Sequence, residues 1–402
     1  MKPELLIPAG SFETLKVALS YGADAIYCGG ERFSLRKKAN NFSLEELREG
    51  IKYTHNLGKK IYVTINIFPH NDDLIGLDDF LNTINQYKPD GLIIADVGVF
   101  SIAKNICKNI PLHISTQANI INYESANFWS NIGAKRVVLG RELSLIEIEK
   151  IKNNINNNLE IECFIHGSMC IAYSGRCLLS AFLTNKESNL GECTHPCRWN
   201  YSLVEEKRPG EYMNIEEDNR GTYIFNSKDL CMIEHIPDLI KLNIDSFKIE
   251  GRMKTALYIA TVARTYRKAI DDYYNGNYEA NLEWYKKEIC KCTYRDYTTG
   301  FFYGKPDNTS QIYNNNTYKK GSIFYGIVEK IENEYAFLTQ KNKFEINQEL
   351  EIMKIDGTNV KTKVLEIYDL EKEEFVSSCK HSKQKIRLKL SIMPNVGEII
   401  RS

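Results

Sequence analysis

The segment Ser246-Phe-Lys-Ile-Glu250 and the helical pattern that follows it over about 256–274 decide the predicted fold, because together they complete a series of eight similar units. Each unit is a short apolar run followed by an amphipathic stretch. The earlier runs are Leu5–Ile7, Ala25–Cys28, Lys60–Ile65, Gly91–Ala95, Leu112–Ser115, Arg136–Leu139 and Glu160–Ile165. Near-continuous apolar strands joined by helices are typical of a buried parallel sheet. Eight units within residues 1–275 favour a (β/α)8 TIM-like barrel, with an open doubly wound sheet as the alternative.

The helices and the rest of the chain follow from local signals. Ser43 with Glu46 three residues on predicts a capping box, and a helix is predicted over Asp229–Leu242. A cysteine-rich insertion (about 167–225) replaces the crossover after the seventh strand. Short alternating strands with Asn, Gly and Glu-Lys turns recur from Gly321 onward. We therefore expect a barrel domain over 1–275, a connecting segment over 276–318 and a small antiparallel β-barrel over 319–402.

The bulk composition restricts the possible functions. The 52 Lys and Arg residues equal the 52 Asp and Glu residues, so a nucleic acid or membrane would have to bind through a local patch. The N-terminus is charged within four residues, and no apolar run approaches the length of a membrane span. These features predict no membrane segment and a cytoplasmic location, where thiols stay reduced. The sequence contains neither a Gly-x-Ser-x-Gly elbow nor a His-Glu-x-x-His motif, so it gives no support to peptide hydrolysis.

Four cysteines, Cys170, Cys177, Cys193 and Cys197, fall within 28 residues directly after the seventh predicted strand. Thiolates select zinc or iron–sulfur clusters, and structural zinc favours pairs two to four residues apart. Only the last two cysteines have that spacing, so an iron–sulfur cluster is favoured over zinc, and a metal-free role is the third reading. Cys231, on the predicted helix, is a possible substitute for one ligand.

Polar residues end several of the predicted strands, where barrel enzymes carry their chemistry. We predict that His166, Glu250 and Arg252 are catalytic, because His166 can transfer protons and Arg252 can clamp a carboxylate or phosphate. The predicted binding residues are Arg36, Asn66, Gln117, Arg141 and Lys254. Structural alternatives remain: Lys248 pairs with Glu250, His166 caps a backbone carbonyl, and the basic run around Arg36 is a solvated surface.

In the C-terminal region, Lys383, Lys385, Arg387 and Lys389 alternate with Gln384 and apolar residues. On a strand this spacing places four cations on one face. Such a face can follow a nucleic-acid backbone, or it can mark an edge strand that lysines protect from aggregation.

Five stretches of the chain resemble the collagenase-like peptidase family U32. They are His166-Gly-Ser-Met-Cys-Ile-Ala-Tyr-Ser-Gly-Arg-Cys177, Gly191-Glu-Cys-Thr-His-Pro-Cys-Arg-Trp199, Pro8-Ala-Gly10, Asn226-Ser-Lys-Asp-Leu230 and Lys248-Ile-Glu-Gly-Arg-Met-Lys254. The resemblance covers essentially the whole chain, and the cysteine motif is highly specific.

The resemblance implies a function that the residues alone do not give. Members with assigned roles are mostly RNA or quinone hydroxylation proteins, and length and C-terminal region are similar to the branch that hydroxylates the tRNA wobble uridine. The resemblance implies a 4Fe–4S cluster on Cys170, Cys177, Cys193 and Cys197, prephenate as dicarboxylate co-substrate, and a tRNA anticodon loop as partner. Hydroxylation of ribosomal RNA, and the peptidase activity that the family name records, are the alternatives.

Overall fold

The computed structural model describes residues 2–35, 41–170, 172–173, 176–199, 203–204, 212–213, 226–306, 311–312, 318–381 and 383–402. Contacts divide the chain into two compact units. The barrel unit comprises Met1–Leu19, Ala23–Lys254 and Arg295–Tyr318. The C-terminal unit comprises Ser20–Gly22, Thr255–Tyr294 and Lys319–Ser402.

Eight parallel strands close into a barrel, as the sequence predicts. In chain order, barrel strands one to eight are Glu4–Pro8, Ala25–Gly29, Lys60–Ile65, Gly91–Ile94, Leu112–Ile114, Arg136–Val138, Glu160–Ser168 and Ser246–Ile249. Closure depends on strand eight, where Phe247 pairs with Leu5 of strand one and with Cys163 of strand seven. The open doubly wound sheet is therefore wrong.

Helices connect the strands of the barrel. They are Phe12–Ser20, Leu44–Asn56, Leu77–Tyr87, Val97–Ile106, Tyr123–Asn131, Leu145–Asn154, Leu179–Thr184 and Ile236–Lys241, and Ala256–Tyr274 follows strand eight. The predicted capping box is confirmed: the Glu46 amide donates to Ser43 Oγ at 3.2 Å, and the Ser43 amide donates to Glu46 Oε2 at 2.9 Å. Two otherwise unsatisfied backbone donors are thus satisfied at the start of Leu44–Asn56.

The predicted helix over Asp229–Leu242 is wrong in its first half. Asp229–Cys231 is a strand that pairs antiparallel with the end of barrel strand seven, with Cys231 opposite His166. Strand seven has nine residues and strand six has three, so the end of strand seven extends past its neighbour. The exposed backbone groups of that extension need partners, and Asp229–Cys231 supplies them. The helix begins only at Ile236, with Pro237 in its first turn.

Charged side chains fill part of the barrel interior. Arg136 donates to Glu4 Oε1 at 2.7 Å and to Glu162 Oε2 at 3.0 Å, and Lys248 Nζ lies 2.6 Å from Glu162 Oε1. The structural pairing of Lys248 with Glu250 is therefore wrong, since the lysine pairs across the sheet with strand seven. Burial by itself raises the pKa of Glu162, but Lys248 and Arg136 outweigh it and hold the pKa below its usual value.

The C-terminal unit is an antiparallel β half-barrel preceded by the helices Ala256–Tyr274 and Tyr278–Ile289. In spatial order the strands of its main sheet are Phe324–Ile327, Ile399–Arg401, Glu349–Met353, Asn359–Asp369, Lys385–Leu390, Tyr335–Thr339 and Lys330–Glu332, and Glu374–Phe375 pairs with Asn359–Asp369. Lys385–Leu390 has a neighbour on both sides, so the explanation of its lysines as protection of an edge strand is wrong. Lys383 lies before this strand.

The remaining short strands are Leu203–Val204 with Tyr212–Met213, Asn226–Ser227 with Gln311–Ile312, Thr293–Tyr294 with Lys319–Lys320, Phe344–Glu345 with Ser378–Cys379, and Tyr297–Thr298 beside Asp229–Cys231. Single 3-10 turns lie at Asn71–Leu74, Thr116–Ala118, Ser188–Leu190, Pro196–Arg198 and Ile233–His235. Within the described ranges, no helix combines the length and the apolar character that crossing a membrane requires.

Candidate active site at the rim of the barrel

The carboxyl ends of all eight barrel strands meet at one rim, and most of the predicted site residues lie there or just beyond it. Asn66 follows strand three, His166 lies near the end of strand seven, and Arg252 comes shortly after strand eight. Arg36 falls outside the described residues, so its predicted binding role stays a prediction.

Arg252 is buried, with 6% of its surface exposed. Its Nη1 donates to Ser34 Oγ at 2.8 Å and to Thr64 Oγ1 at 3.3 Å, and its Nη2 donates to Asn41 Oδ1 at 2.5 Å. These three hydrogen bonds fix the guanidinium in place. The arrangement suits recognition of an anionic group.

Two glycines leave the space that Arg252 occupies. A Cβ atom on Gly29 would lie 2.1 Å from Ser34 Oγ and 2.7 Å from Arg252 Nη2. A Cβ atom on Gly10 would lie 2.1 Å from the carbonyl oxygen of Arg252. Both distances are far below a normal contact, so a side chain at either position would clash. Steric exclusion therefore explains why position 10, in Pro8-Ala-Gly10, is a glycine.

Sequence reasoning missed the residues that hold Arg252. Ser34 Oγ and Thr64 Oγ1 lie 2.6 Å apart, and Thr64 Oγ1 also donates to the carbonyl of Cys28 at 3.1 Å. Side chains alternate along a strand, so Thr64 shares a face with Tyr62 and Asn66. That alternation was the available signal for Thr64. Ser34 and Asn41 lie outside the barrel strands and carried no periodic signal.

Two predicted binding residues, Asn66 and Gln117, are brought together at the rim. The Asn66 amide donates to Gln117 Oε1 at 3.5 Å, and its own Oδ1 accepts the backbone N–H of Leu35 at 3.2 Å. Ser115 Oγ also donates to Gln117 Oε1. These contacts link strands three and five across the rim.

Arg141 lies near strand seven. Its Nη1 donates to the carbonyl of Ser168 at 2.9 Å, and its guanidinium lies 4.1 Å from the centre of the Phe164 ring. Lys254 Nζ lies 4.9 Å from the centre of the Tyr318 ring. Each cation is thus partly positioned by an aromatic face.

His166 is buried and lies 5.4 Å, ring centre to ring centre, from Tyr297. Burial, assisted by the nearby cation of Lys254 and opposed by Glu250, lowers the pKa of His166 to about 3. The imidazole is therefore neutral over the physiological range, and its ring can offer a proton acceptor to a substrate. The main chain also links these residues, because the Glu250 amide donates to the carbonyl of His166 at 2.9 Å. Whether the His166 side chain itself caps a carbonyl stays a prediction.

The cysteine insertion begins at the rim. Cys170 follows strand seven by two residues, and its side chain is exposed, whereas Cys177, Cys193 and Cys197 are half-buried. Asn189, also in the insertion, accepts the backbone N–H of Phe68 at 3.3 Å. This hydrogen bond joins the insertion to the segment that follows strand three, so the thiols share an end of the barrel with Arg252.

Hydroxyl groups tie together the two halves of the insertion. The Thr194 amide donates to Ser180 Oγ at 3.1 Å, and the Thr184 and Thr194 hydroxyls lie 3.0 Å apart. The backbone N–H of His195 donates to the sulfur of Cys193 at 3.4 Å. Cys193 is therefore positioned against the helix Leu179–Thr184, and not only by its own loop.

The thiols have suitable donor chemistry for a metal or iron–sulfur cluster. The eleven cysteines all lie in the described part of the chain, and none is in a disulfide. Among the described residues, no three or more His, Cys, Asp or Glu side chains are placed to hold a metal ion. Cys231, expected on a helix, lies instead on the strand beside His166. The ligand assignment stays a prediction.

Two family models match this chain, namely Peptidase family U32 over residues 10–312 and the Peptidase family U32 C-terminal domain over residues 320–401. The tRNA hydroxylation protein P1 of Bacillus subtilis is 39% identical over 393 residues, which are 97% of this chain and 92% of that protein.

Two further relatives carry other names. A collagenase of Porphyromonas gingivalis is 33% identical over 314 residues, or 75% of this chain and 74% of that protein. The 23S rRNA 5-hydroxycytidine C2501 synthase of Escherichia coli is 35% identical over 268 residues, or 67% of this chain and 39% of that protein.

Proposed function

This chain belongs to peptidase family U32, and we propose that it is an iron–sulfur-dependent RNA-modification enzyme that hydroxylates the tRNA wobble uridine to 5-hydroxyuridine with prephenate as co-substrate. The observation that carries the proposal is the 39% identity, over 97% of the chain, to a protein named for tRNA hydroxylation. The fixed cation at the rim and the thiols of the insertion supply groups that such a reaction needs.

In this proposal the cluster ligands are Cys170, Cys177, Cys193 and Cys197, with Cys231 as the substitute for one of them. A bound iron–sulfur cluster would supply electron-transfer chemistry next to the rim. The half-buried thiols favour this role over core packing, because a cysteine that serves only as a small apolar side chain is normally buried.

The dicarboxylate co-substrate would bind the cations of the rim. Arg252 is held in place by hydrogen bonds to Ser34, Thr64 and Asn41, and the fork geometry of its guanidinium matches a carboxylate. Arg141 and Lys254 are the further candidates for the second carboxylate. Neutral His166 would accept a proton or a hydrogen bond from the substrate, and it would not add to the positive charge.

Mass spectrometry of nucleosides from a deletion strain tests the proposal. We expect 5-hydroxyuridine derivatives to disappear from tRNA and to return with the wild-type gene. A Cys193→Ser gene should fail to restore them, whereas Cys290→Ser, which changes a half-buried cysteine outside the insertion, should succeed. Unaltered tRNA in a strain without a second homologue would reject the tRNA assignment.

The same strain separates the alternatives. Loss of a hydroxylated nucleoside from ribosomal RNA, with tRNA unchanged, would favour the relation to the rRNA synthase. Cleavage of gelatin or casein by the purified chain, abolished by substitution of one defined nucleophile, would favour a peptidase. Anaerobic purification tests the cofactor independently, since a brown protein that contains iron and sulfide is expected and a colourless zinc protein is not.

A further inference from the structure

One row of side chains crosses the sheet of the C-terminal unit. Cross-strand pairing aligns Lys330 with Phe337, Phe337 with Arg387, Arg387 with Tyr368, and Tyr368 with Phe375. We call these five residues the aromatic row. Such a row over five strands cannot be read from the sequence, because its members are separated by up to 57 positions along the chain.

The aromatic row lies on the face opposite to the hydrophobic core. Ile386 and Leu388, which flank Arg387 along its strand, are fully buried in that core. The row itself is half-buried or exposed, and 60% of the Phe375 surface is exposed. Aromatic side chains are therefore presented on the face of the sheet that does not pack into this core.

Arg387 is the centre of the row. Its guanidinium carbon lies 4.2 Å from the ring centre of Tyr368 and 4.7 Å from that of Tyr335. Its Nε is shielded from solvent and has no hydrogen-bond acceptor in the described part of the chain. Rings on two sides thus hold the cation in a fixed plane, while its hydrogen-bonding capacity is not used up by the protein.

Other charges around the row are already partly engaged. The Tyr335 hydroxyl donates to Glu366 at 2.7 Å, and Lys330 pairs with Glu332. Lys385 lies two residues from Arg387 on the same strand, and its side chain is exposed. Arg387 and Lys385 place two further cations beside the aromatic rings.

We infer that the aromatic row is a binding surface for single-stranded RNA, on which bases stack while Arg387 and Lys385 contact phosphates. Exposed rings next to cations are the combination that single-stranded nucleic acids use, because every base has a face to stack and every linkage has a charge. Duplex RNA hides its base faces and should bind worse. The inference deepens the proposed function and rests on it for the choice of RNA as partner.

Fluorescence anisotropy with the full-length chain tests the surface. The probes are a labelled RNA hairpin that carries an anticodon-loop sequence and a fully paired RNA duplex of equal length. Stacking on one aromatic side chain contributes about 1–3 kcal/mol, so Phe375→Ala should weaken hairpin binding about tenfold. Arg387→Gln should weaken it similarly and also reduce the slope of affinity against salt by about one, as loss of one phosphate contact does.

Matched controls use residues of the same unit away from the row. Tyr274→Ala removes an exposed tyrosine from a helix, and Lys361→Gln removes an exposed lysine from the other end of the strand that carries Tyr368. Both should bind the hairpin like wild type, and all four variants should unfold at the wild-type temperature. Wild-type affinity in both row variants, equal loss in the controls, or equal affinity for hairpin and duplex would each overturn the inference.

The two proposals can fail separately. If the row variants lose hairpin binding but tRNA from the deletion strain keeps its 5-hydroxyuridine, the RNA-binding surface is supported and the proposed hydroxylation is refuted. If the chain is required for hydroxylation and the row variants still bind the hairpin like wild type, only the aromatic row is refuted, and a protein partner becomes its better occupant.

Discussion

The barrel rim and the cysteine insertion would contribute the two halves of the proposed site, and they are built in different ways. At the rim, Arg252 and His166 are buried, and Arg252 is held by hydrogen bonds from neighbouring elements. In the insertion, Cys170 is exposed and the other three thiols are half-buried. The barrel thus positions its own side chains, whereas in the proposed function a bound cluster would also hold the insertion in place. Metal binding commonly contributes folding energy to the segment that carries the ligands.

The largest expected effect follows from removing one thiol of the insertion. Cys193→Ser should abolish iron binding and hydroxylation, because a cluster that loses a thiolate ligand is not retained. The unfolding temperature of the barrel should change little. Limited proteolysis, however, should cleave the insertion faster in the variant. Iron content, activity and the pattern of proteolytic fragments are the measurements.

Cys290→Ser is the control, since it changes a half-buried thiol outside the insertion. Full iron content and activity in Cys193→Ser would contradict the ligand assignment. Equal protease resistance with and without iron would show instead that the insertion is ordered without a cluster.

A substitution inside the barrel should destabilise the barrel and leave the insertion unchanged. Glu162→Gln leaves Lys248 and Arg136 buried without their shared carboxylate, and breaking a buried ion pair in this way costs about 3–5 kcal/mol. Urea unfolding should report a loss of that size. Glu45→Gln, which alters an exposed ion pair, is the control and should have almost no effect.

The Glu162 carboxylate also predicts that the folded protein loses stability at acid pH. The folded pKa of Glu162 is lowered, so its contribution to stability is present above the ordinary value near 4.5 and is lost as pH falls through the folded value. The stability of Glu162→Gln should therefore depend less on pH below about 4.5 than that of wild type. Parallel acid profiles of the two proteins would contradict the assignment.

The sequence predicted the barrel well because each strand carries its signal locally, as a continuous apolar run. It predicted less well where partners are distant along the chain. Lys248 pairs with Glu162, 86 residues away, and not with nearby Glu250. Asp229–Cys231 resembles the start of a helix, and it becomes a strand because strand seven offers it a backbone edge. Arg252 was predicted because it follows a strand. Ser34 and Asn41, which hold its guanidinium in place, do not follow a predicted strand directly and could not be identified in this way.

At the rim itself, Arg252→Ala should reduce hydroxylation about 100-fold at limiting prephenate, because one positioned charged donor is worth roughly that factor. The cluster should remain intact, with an unchanged visible spectrum and iron content. Arg252→Lys keeps the charge but lacks the planar guanidinium that can donate two hydrogen bonds to one carboxylate. We therefore expect it to be more active than Arg252→Ala but less active than wild type. Unchanged hydroxylation in Arg252→Ala would reject its role as a carboxylate site, and loss of iron would show that rim and insertion are not independent.

The smallest expected effect concerns His166, whose pKa the barrel sets to about 3 by burial. The unfolded state takes up a proton below about 6.5 and the folded state does not until about 3, so this residue lowers stability as pH falls between those values. His166→Gln should therefore flatten the dependence of unfolding free energy on pH between 7 and 5. In the wild-type enzyme, activity should show no titration attributable to His166 over the same range. An activity transition near pH 6.5 that disappears in His166→Gln would mean that the barrel does not shield the imidazole, and the rim could then not be described as ordered by the barrel alone.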